Sequence, residues 1–428
     1  MKKNTANFGK FGWLLVIYCF LTFFIFSAGN GTMNIAVGMF KEMYGWDQTY
    51  LLSLQSVGAW VAIPFIFIFG QLYARGKLRI RTLILFSGVL YAVGITLWGF
   101  LTSLVLFTAI FIVCYVTYPL WGTLANNSLT NNWFPKKKGI IIGITTIGFP
   151  LGTGLGSIIF MTLFGKFGFS NAYLIIGIIA LAICLFGFFT FKEYPEQRGC
   201  FPDNDRTITS EQAKAEFEQG QAMLEKSPWS VKRLLSTKEV WLLSVSNAYL
   251  FAIASGVMGT MIPRLLSTGR YDANQAMVFL LIAAFTACPG SFLCGFIDNR
   301  TTPKIGLIFT QTCCVTGCIL NIIPTTPTLL ISLVLFGIGT GGSANFVMSM
   351  TSEYWGRFKF MKAYPTVLTI NQIVGAGGPM LMAVIASKMG WNVSYVVMAV
   401  LGVIAVLLAV PIKKGFVEKA EAKFAIQK

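Results

Sequence analysis

Twelve apolar runs recur through this chain, roughly at 13–37, 50–69, 82–100, 104–127, 140–164, 171–191, 240–262, 275–296, 305–323, 328–350, 364–387 and 391–412. A helix needs about 20 such residues to cross a bilayer. In hydrocarbon the backbone must satisfy its own hydrogen bonds, which leaves the α-helix as the open-ended solution. The expected fold class is therefore an all-α membrane protein with twelve transmembrane helices. Of its 428 residues, 55% are hydrophobic and only 11% are charged, against about 25% charged in a soluble domain. A soluble globule is excluded. Histidine is absent, which removes Ser-His-Asp triads and His-based zinc sites. No enzyme activity, catalytic residue, metal or other cofactor is expected.

The formal charge of +17 invites a nucleic-acid reading, but the position of the charges answers it. Every Lys, Arg, Asp and Glu lies between the apolar runs or at their ends. When the gaps are numbered alternately, one side holds 28 of the 33 basic residues and 13 of the 16 acids. The other side keeps Lys41, Lys166, Arg264, Arg270 and Lys388 with Glu42, Asp47 and Asp272. This asymmetry is the positive-inside pattern. It predicts a multi-pass protein of the cell membrane with both termini cytoplasmic and no nucleic-acid partner. The run from Trp13 is too long for a signal-peptide core and has no small-residue cleavage site after it. Of nine cysteines, eight lie in apolar segments and Cys200 in a basic-side loop, so no disulfide framework is expected.

A polar stretch, 192–238, divides the runs six and six. The expected organisation is an N-terminal bundle over 1–191, a cytoplasmic central loop over 192–238, a C-terminal bundle over 239–412 and a cytoplasmic tail over 413–428. Thr209 and Gln212 have capping-box spacing and predict a short helix from Ser210 to Lys226. Trp229, Leu234 and Leu235 among Lys232 and Arg233 predict a short interfacial helix before span seven. Landmarks repeat across the division: Gly70 and Gly295 are 225 residues apart, Trp133 and Trp355 are 222 apart, and Pro150 and Pro379 are 229 apart. A duplicated six-span unit is typical of transporters that rock one half against the other.

Gly70-Gln-Leu-Tyr-Ala74-Arg75-Gly76-Lys77-Leu-Arg79 follows span two. This loop resembles the signature of the major facilitator superfamily, with Ala74 where the usual acid stands; the second copy keeps an acid as Asp298. Asn132-Trp133-Phe134-Pro135-Lys-Lys-Lys-Gly139 and Tyr194-Pro195-Glu196-Gln-Arg-Gly199-Cys-Phe-Pro202-Asp203 are similar to loops of its organic-anion branches, the oxalate/formate-exchanger and monocarboxylate-porter groups. The resemblance implies two pseudo-symmetric six-helix bundles, with spans one, four, seven and ten lining a central cavity.

No charge is placed mid-span, where it would cost about 2.5–3.5 kcal/mol and usually serves ions or charged cargo. The polar candidates for substrate contact are Asn30 and Asn34, one turn apart on span one, then Tyr115, Tyr118 and Trp121 on span four. Asn247, Phe251 and Ser255 form a stripe on span seven, Asn345 lies in span ten, and Asn371 and Gln372 lie in span eleven. Arg264 follows Pro263 at the outer end of span seven, as an anchor or an anion-steering charge. The gating candidates are Gly70 and Arg75 after span two, and Asp298 and Arg300 pairing with Glu353 or Arg357 across the cytoplasmic face. Pro150 and Pro379, in Gly-rich spans five and eleven, mark helices that bend. The chain reads as a secondary or facilitative transporter, functional as a monomer, of a small organic solute. A monovalent organic anion is the expected cargo, and efflux of neutral or lipophilic compounds is the alternative.

Overall fold

The computed structural model describes residues 8–205 and 207–426; at some helical positions, Asn30 and Asn34 among them, only the backbone is described. Among the described residues there is no strand. The first bundle comprises α1 (Gly9–Tyr44), α2 (Gln48–Ala74), α3 (Ile80–Leu97), α4 (Leu104–Tyr118), α5 (Asn126–Trp133), α6 (Lys138–Thr145), α7 (Gly148–Phe167) and α8 (Phe169–Thr190). A π-helical stretch, Pro119–Ala125, fuses α4 and α5 into one span. Span five is α6 with α7, and its two arms, Lys138–Thr153 and Ile158–Phe167, bend by 50°. On the surface, α9 (Ser210–Glu225) and α10 (Val231–Leu235) lead to the second bundle.

That bundle begins with α11 (Lys238–Ala252), which runs through a second π-helical stretch, Ile253–Val257, to α12 (Met261–Leu266). It continues with α13 (Ala273–Arg300), α14 (Pro303–Ile322), α15 (Thr326–Gly342), α16 (Asn345–Gly375), α17 (Gly378–Met389) and α18 (Trp391–Ala409). The tail forms a further helix, α19 (Phe416–Ile426). Among the described residues, ten helices are long and apolar enough to cross a membrane, eleven with the bent pair. The 17-residue α15 completes the set with the first part of α16. Gly356, at φ 69°, interrupts α16, a backbone state that favours glycine. On one side of it Met350 accepts a hydrogen bond from Asn247 at 3.4 Å. On the other, a Cβ on Gly375 would meet Phe251 and the Ala248 carbonyl. Both arms thus lie beside α11, and the chain doubles back at Gly356.

The duplication is visible in the details. Asp47 and Asp272, 225 residues apart, each cap the helix after them, accepting from the Tyr50 amide at 2.7 Å and the Gln275 amide at 2.8 Å. Gly168 and Gly390 join the last two spans of each bundle with matching backbone angles, φ 81° and 88°. Asp47 and Asp272 are therefore helix caps on the far face.

The central stretch is more structured than a tether. The capping box forms as expected, with the Gln212 amide donating to Thr209 Oγ1 at 3.2 Å and the Thr209 amide to Gln212 Oε1 at 3.0 Å. Trp229, expected at a lipid interface, is buried against Trp355 and Phe424 instead. The tail helix supplies that cover: Glu421 accepts from Trp229 Nε1 and from Lys359 Nζ, both at 2.7 Å.

The two bundles meet through α6 on α13 and α2 on α16. A Cβ on Gly295 would collide with the Gly139 carbonyl oxygen and lie 2.9 Å from Gly143 Cα. Small residues let the backbones touch. Gly295→Val should cost on the order of 1–3 kcal/mol at this crossing, an about 5- to 150-fold shift against the closed arrangement. Spin labels at Lys77 and Arg300 should report a longer distance; an unchanged distribution would contradict the crossing's role.

Candidate functional site

The basic loops fold into one device. Trp133 Nε1 donates to the Lys192 carbonyl at 3.1 Å, and Asn132 Nδ2 to the Glu193 carbonyl at 3.1 Å. The amides of Lys136 and Lys137 donate to the two Asp203 carboxylate oxygens at 3.0 and 2.9 Å. Burial pushes the Asp203 carboxyl above its ordinary range, and these amides hold it back. Glu193, which accepts from Tyr73 Oη at 2.5 Å, is likewise raised by burial. The loops Asn132–Gly139 and Tyr194–Asp203 thus brace each other.

The second bundle is seated on this brace. Arg357 makes a two-pronged contact with Glu196, at 2.6 and 2.7 Å, and its Nε donates to the Asn132 carbonyl at 2.8 Å. Both side chains of the pair are about a tenth exposed, 11% and 10%, and a fork-to-fork pair is the strong, directional kind. Asn131 Nδ2 donates to the Arg357 carbonyl at 2.7 Å, and Asn127 Nδ2 to Tyr364 Oη at 2.5 Å. Lys138 bridges to Glu353 at 3.3 Å. Deeper in, Thr146 Oγ1 lies 2.5 Å from Ser291 Oγ and donates to Asn345 Oδ1 at 2.9 Å. Among the described residues, every hydrogen bond or ion pair joining the bundles lies between the basic end and Thr146. The protein is closed on its basic side.

These pairings correct the expected ones. Glu353 bonds Lys138 and Lys414, and Arg357 bonds Glu196, so neither meets Asp298 or Arg300. Asp298 is buried, accepts from Ser349 Oγ and faces the Gly139 backbone, with Lys138 close enough to attract it. Arg300 lies over the Phe296 ring at 5.0 Å. Arg75 is exposed and repels Lys362. Gly70 sits in the α2–α16 crossing, where a Cβ would collide with the Pro365 ring. Pro150 and Pro379 occupy the first turns of α7 and α17, just past breaks at 145–148 and 375–378. Each break precedes its proline because the ring is compatible with a helix's first turn and not with its interior.

The cavity candidates separate into three groups. The side chains of Asn30 and Asn34 lie outside the described ones. Trp121 and Asn345 are packing and closure residues: Trp121 Nε1 donates to Tyr18 Oη at 2.8 Å in full burial, and Asn345 also donates to the Ser291 carbonyl at 3.3 Å. Ser255 bonds the Phe251 carbonyl at 2.8 Å, and Phe251 packs on Gly375. Tyr115 stacks on Phe111 at 4.8 Å, and Gln372 is half-buried. The third group is unpaired. Tyr118 Oη, Asn247 Oδ1 and Asn371 Nδ2 are buried with no hydrogen-bond partner among the described residues. The π-helical stretches begin just after Tyr118 and enclose Ser255, and such stretches are frequent at functional sites. Arg264 is buried and its guanidinium is already engaged. It is clamped by Asn321 at 3.3 and 3.1 Å and Asn392 at 2.8 Å, beneath the Tyr395 ring.

The sequence profile described as Major Facilitator Superfamily matches residues 121–320 and 271–425. The chain belongs to the major facilitator superfamily. The members of this superfamily are membrane transporters of small solutes, and the match points to a transporter and not to an enzyme. The glucose-6-phosphate exchanger SLC37A2 of Xenopus tropicalis is 26% identical over 316 residues, 65% of this chain. The match spans 62% of that relative, under two thirds of its length. The proton:xylose symporter XylE superposes with a TM-score of 0.74 at 13% identity, covering 94% of this chain and 96% of that one. The human organic anion transporter MFSD10 (TETRAN) gives 0.67 at 14% identity, covering 93% and 98%. At such identities these structures establish the shared fold.

Sequence reasoning missed Glu196, Lys138, Ser349 and Thr146. The first two lie inside the two loops that resemble those of superfamily branches. No local pattern reveals that one loop receives an arginine from the other bundle. Arg357→Ala should leave Glu196 buried without its partner, a loss on the order of 3–5 kcal/mol, opening the basic end and reducing transport more than tenfold. Arg357→Lys should restore only part, because it keeps the charge and loses the fork. Initial transport rates at matched membrane abundance check both; full activity of the lysine variant would contradict the geometry.

Proposed function

We propose that this superfamily member carries a small, monovalent organic anion by exchange or facilitated flux, acting as a monomer. The six-helix units 1–191 and 239–412 rock about a central site. The basic end faces the cytoplasm of the cell in whose membrane the protein resides, following the positive-inside rule. The observation that carries this reading is a set of buried, unpaired neutral groups, Tyr118 Oη, Asn247 Oδ1 and Asn371 Nδ2, on spans that this reading assigns to the lining, in place of fixed charges. An orphan donor or acceptor in hydrocarbon is expensive, and a polar solute that pairs with all three relieves that cost. The same lining offers a dianion too little compensation for leaving water. The exchanger activity named for SLC37A2 supports exchange, its named glucose 6-phosphate being a more highly charged cargo than the one proposed here, and the organic-anion cargo named for MFSD10 supports the anionic class.

The neutral-cargo alternative rests on the ring cluster of Phe26, Tyr118 and Phe149, with Phe26 stacked on Tyr118 and 5.8 Å from Phe149. The gate role of Arg357, Glu196, Lys138 and Glu353 comes from alternating access. Their bonds hold one face shut and must break when cargo is released there.

Purified protein in liposomes, loaded with unlabelled lactate and assayed with labelled lactate, formate or glucose 6-phosphate, decides between the readings. Saturable lactate or formate exchange, unchanged by an imposed pH gradient, is the expected result. Asn371→Leu should raise the half-saturating concentration at least about tenfold, the cost of one charge-assisted bond. Strict dependence on the gradient would contradict the neutral lining. Absence of any anion flux, with efflux of a lipophilic dye, would establish the alternative.

A further inference from the structure

A cavity of about 450 Å³ opens on the basic end, away from the central site, between α2, α9, α16 and the Glu193–Gln197 turn. Ala74, Arg79, Tyr194, Gln221 and Lys362 are among its lining residues. The duplication explains what is unusual there. In one copy, Lys138 opens span five beside the end of α13 and is attracted by Asp298 and bonded to Glu353. Lys362 stands 224 residues after Lys138, at the start of span eleven, and Ala74 stands 224 before Asp298, at the end of α2. The α2 turn offers Tyr73 and Ala74, and neither is acidic. Lys362 faces Arg75 instead, which repels it, and makes no ion pair or hydrogen bond among the described residues. Arg79 is offset by Glu193, and Arg357 by Glu196. The balance is one uncompensated cation in the lining, Lys362, and a second, Arg75, at the edge between the lining residues Ala74 and Gly76, beside a space in the size range of small-ligand pockets, about 300–1,000 Å³.

We propose that this cavity binds a phosphate-bearing anion, which stands in for the acid missing at Ala74 and ties Lys362 of the second bundle to Arg75 and Arg79 of the first. A tetrahedral phosphate, close to a dianion as a monoester and a monoanion as a lipid diester, matches the two free cations and the surrounding amide and phenol donors. Bound only when the bundles are closed on this side, it favours the closed state by mass action and so regulates transport from outside the substrate path. The phosphate source is either a soluble phosphomonoester or a lipid headgroup.

The test uses full-length protein in nanodiscs of two compositions, neutral phosphatidylcholine alone and phosphatidylcholine with phosphatidylglycerol. Thermal unfolding and the Lys77–Arg300 spin-label distance are the readouts. In neutral discs, inorganic phosphate or glucose 6-phosphate should raise the unfolding midpoint saturably and narrow the distance distribution, beyond sodium chloride at equal ionic strength. If the soluble anions do nothing but the anionic discs reproduce the effect, the site reads a headgroup. Lys362→Gln should weaken the apparent affinity at least about tenfold. Ala74→Asp should raise the midpoint without added anion and abolish the response, because the protein then carries its own carboxylate. No response of the unsubstituted protein in either disc, an equal response to chloride, or an undiminished response in both variants would overturn the proposal.

Discussion

Hydrocarbon expels charge, and the architecture of this chain depends on nearly all its charge being pushed to one end. The expelled side chains do not merely solvate loops. Arg357 and Glu196 form a shielded, two-pronged pair whose partners come from opposite bundles. Glu196 can receive that arginine because its loop is bolted to the end of span four through Trp133, Asn132 and Asp203. The glycine crossing of α6 and α13 brings the bundles close enough for the pair to form. Remove the pair, and the basic face loses its two-pronged ionic contact, leaving the single bridge of Lys138 to Glu353 and the amide and hydroxyl bonds of Asn127, Asn131 and Thr146.

The interior obeys the opposite rule. Between Thr146 and the far face no charged side chain contributes a bond between the bundles among the described residues, and those that approach are occupied elsewhere. Arg264 is clamped by two asparagines, while Asp47 and Asp272 cap helices. What the middle offers a solute is hydroxyl, amide and ring. On the proposed reading, selectivity rests on hydrogen-bond geometry and on the cost of leaving Tyr118, Asn247 and Asn371 unpaired, with little long-range steering.

Much of the fold was legible because span length and charge side are one-dimensional signals. The six-and-six division, the Thr209 capping box and the glycine-rich crossings all showed in the letters. Four things did not. The return between spans ten and eleven was expected over 351–363, but that it is made at Gly356 within an otherwise helical stretch was not, since one glycine with a positive φ leaves no trace in hydropathy. The partners of Asp298, Glu353 and Arg357 depend on which loops meet in space; charge sign alone allowed several matches, and the wrong ones were expected. Trp121 and Asn345 carry the same polar-aromatic signature as substrate contacts, and only burial and hydrogen bonding show them satisfied within the protein. The tail helix was invisible for a related reason: its amphipathic face finds Trp229 and Trp355 only after both bundles have folded.

The central claim is that one ion pair between the bundles governs access from the basic side. Its most direct test is charge reversal, Arg357→Glu and Glu196→Arg, singly and together, in a cysteine-free background with one cysteine introduced at Ser291. Labelling by a membrane-impermeant thiol reagent added to the basic face reads the opening. The account predicts rapid labelling in each single variant and protection restored in the double variant, with transport following protection. Protection in both single variants, or a double variant as open as either one, would contradict it.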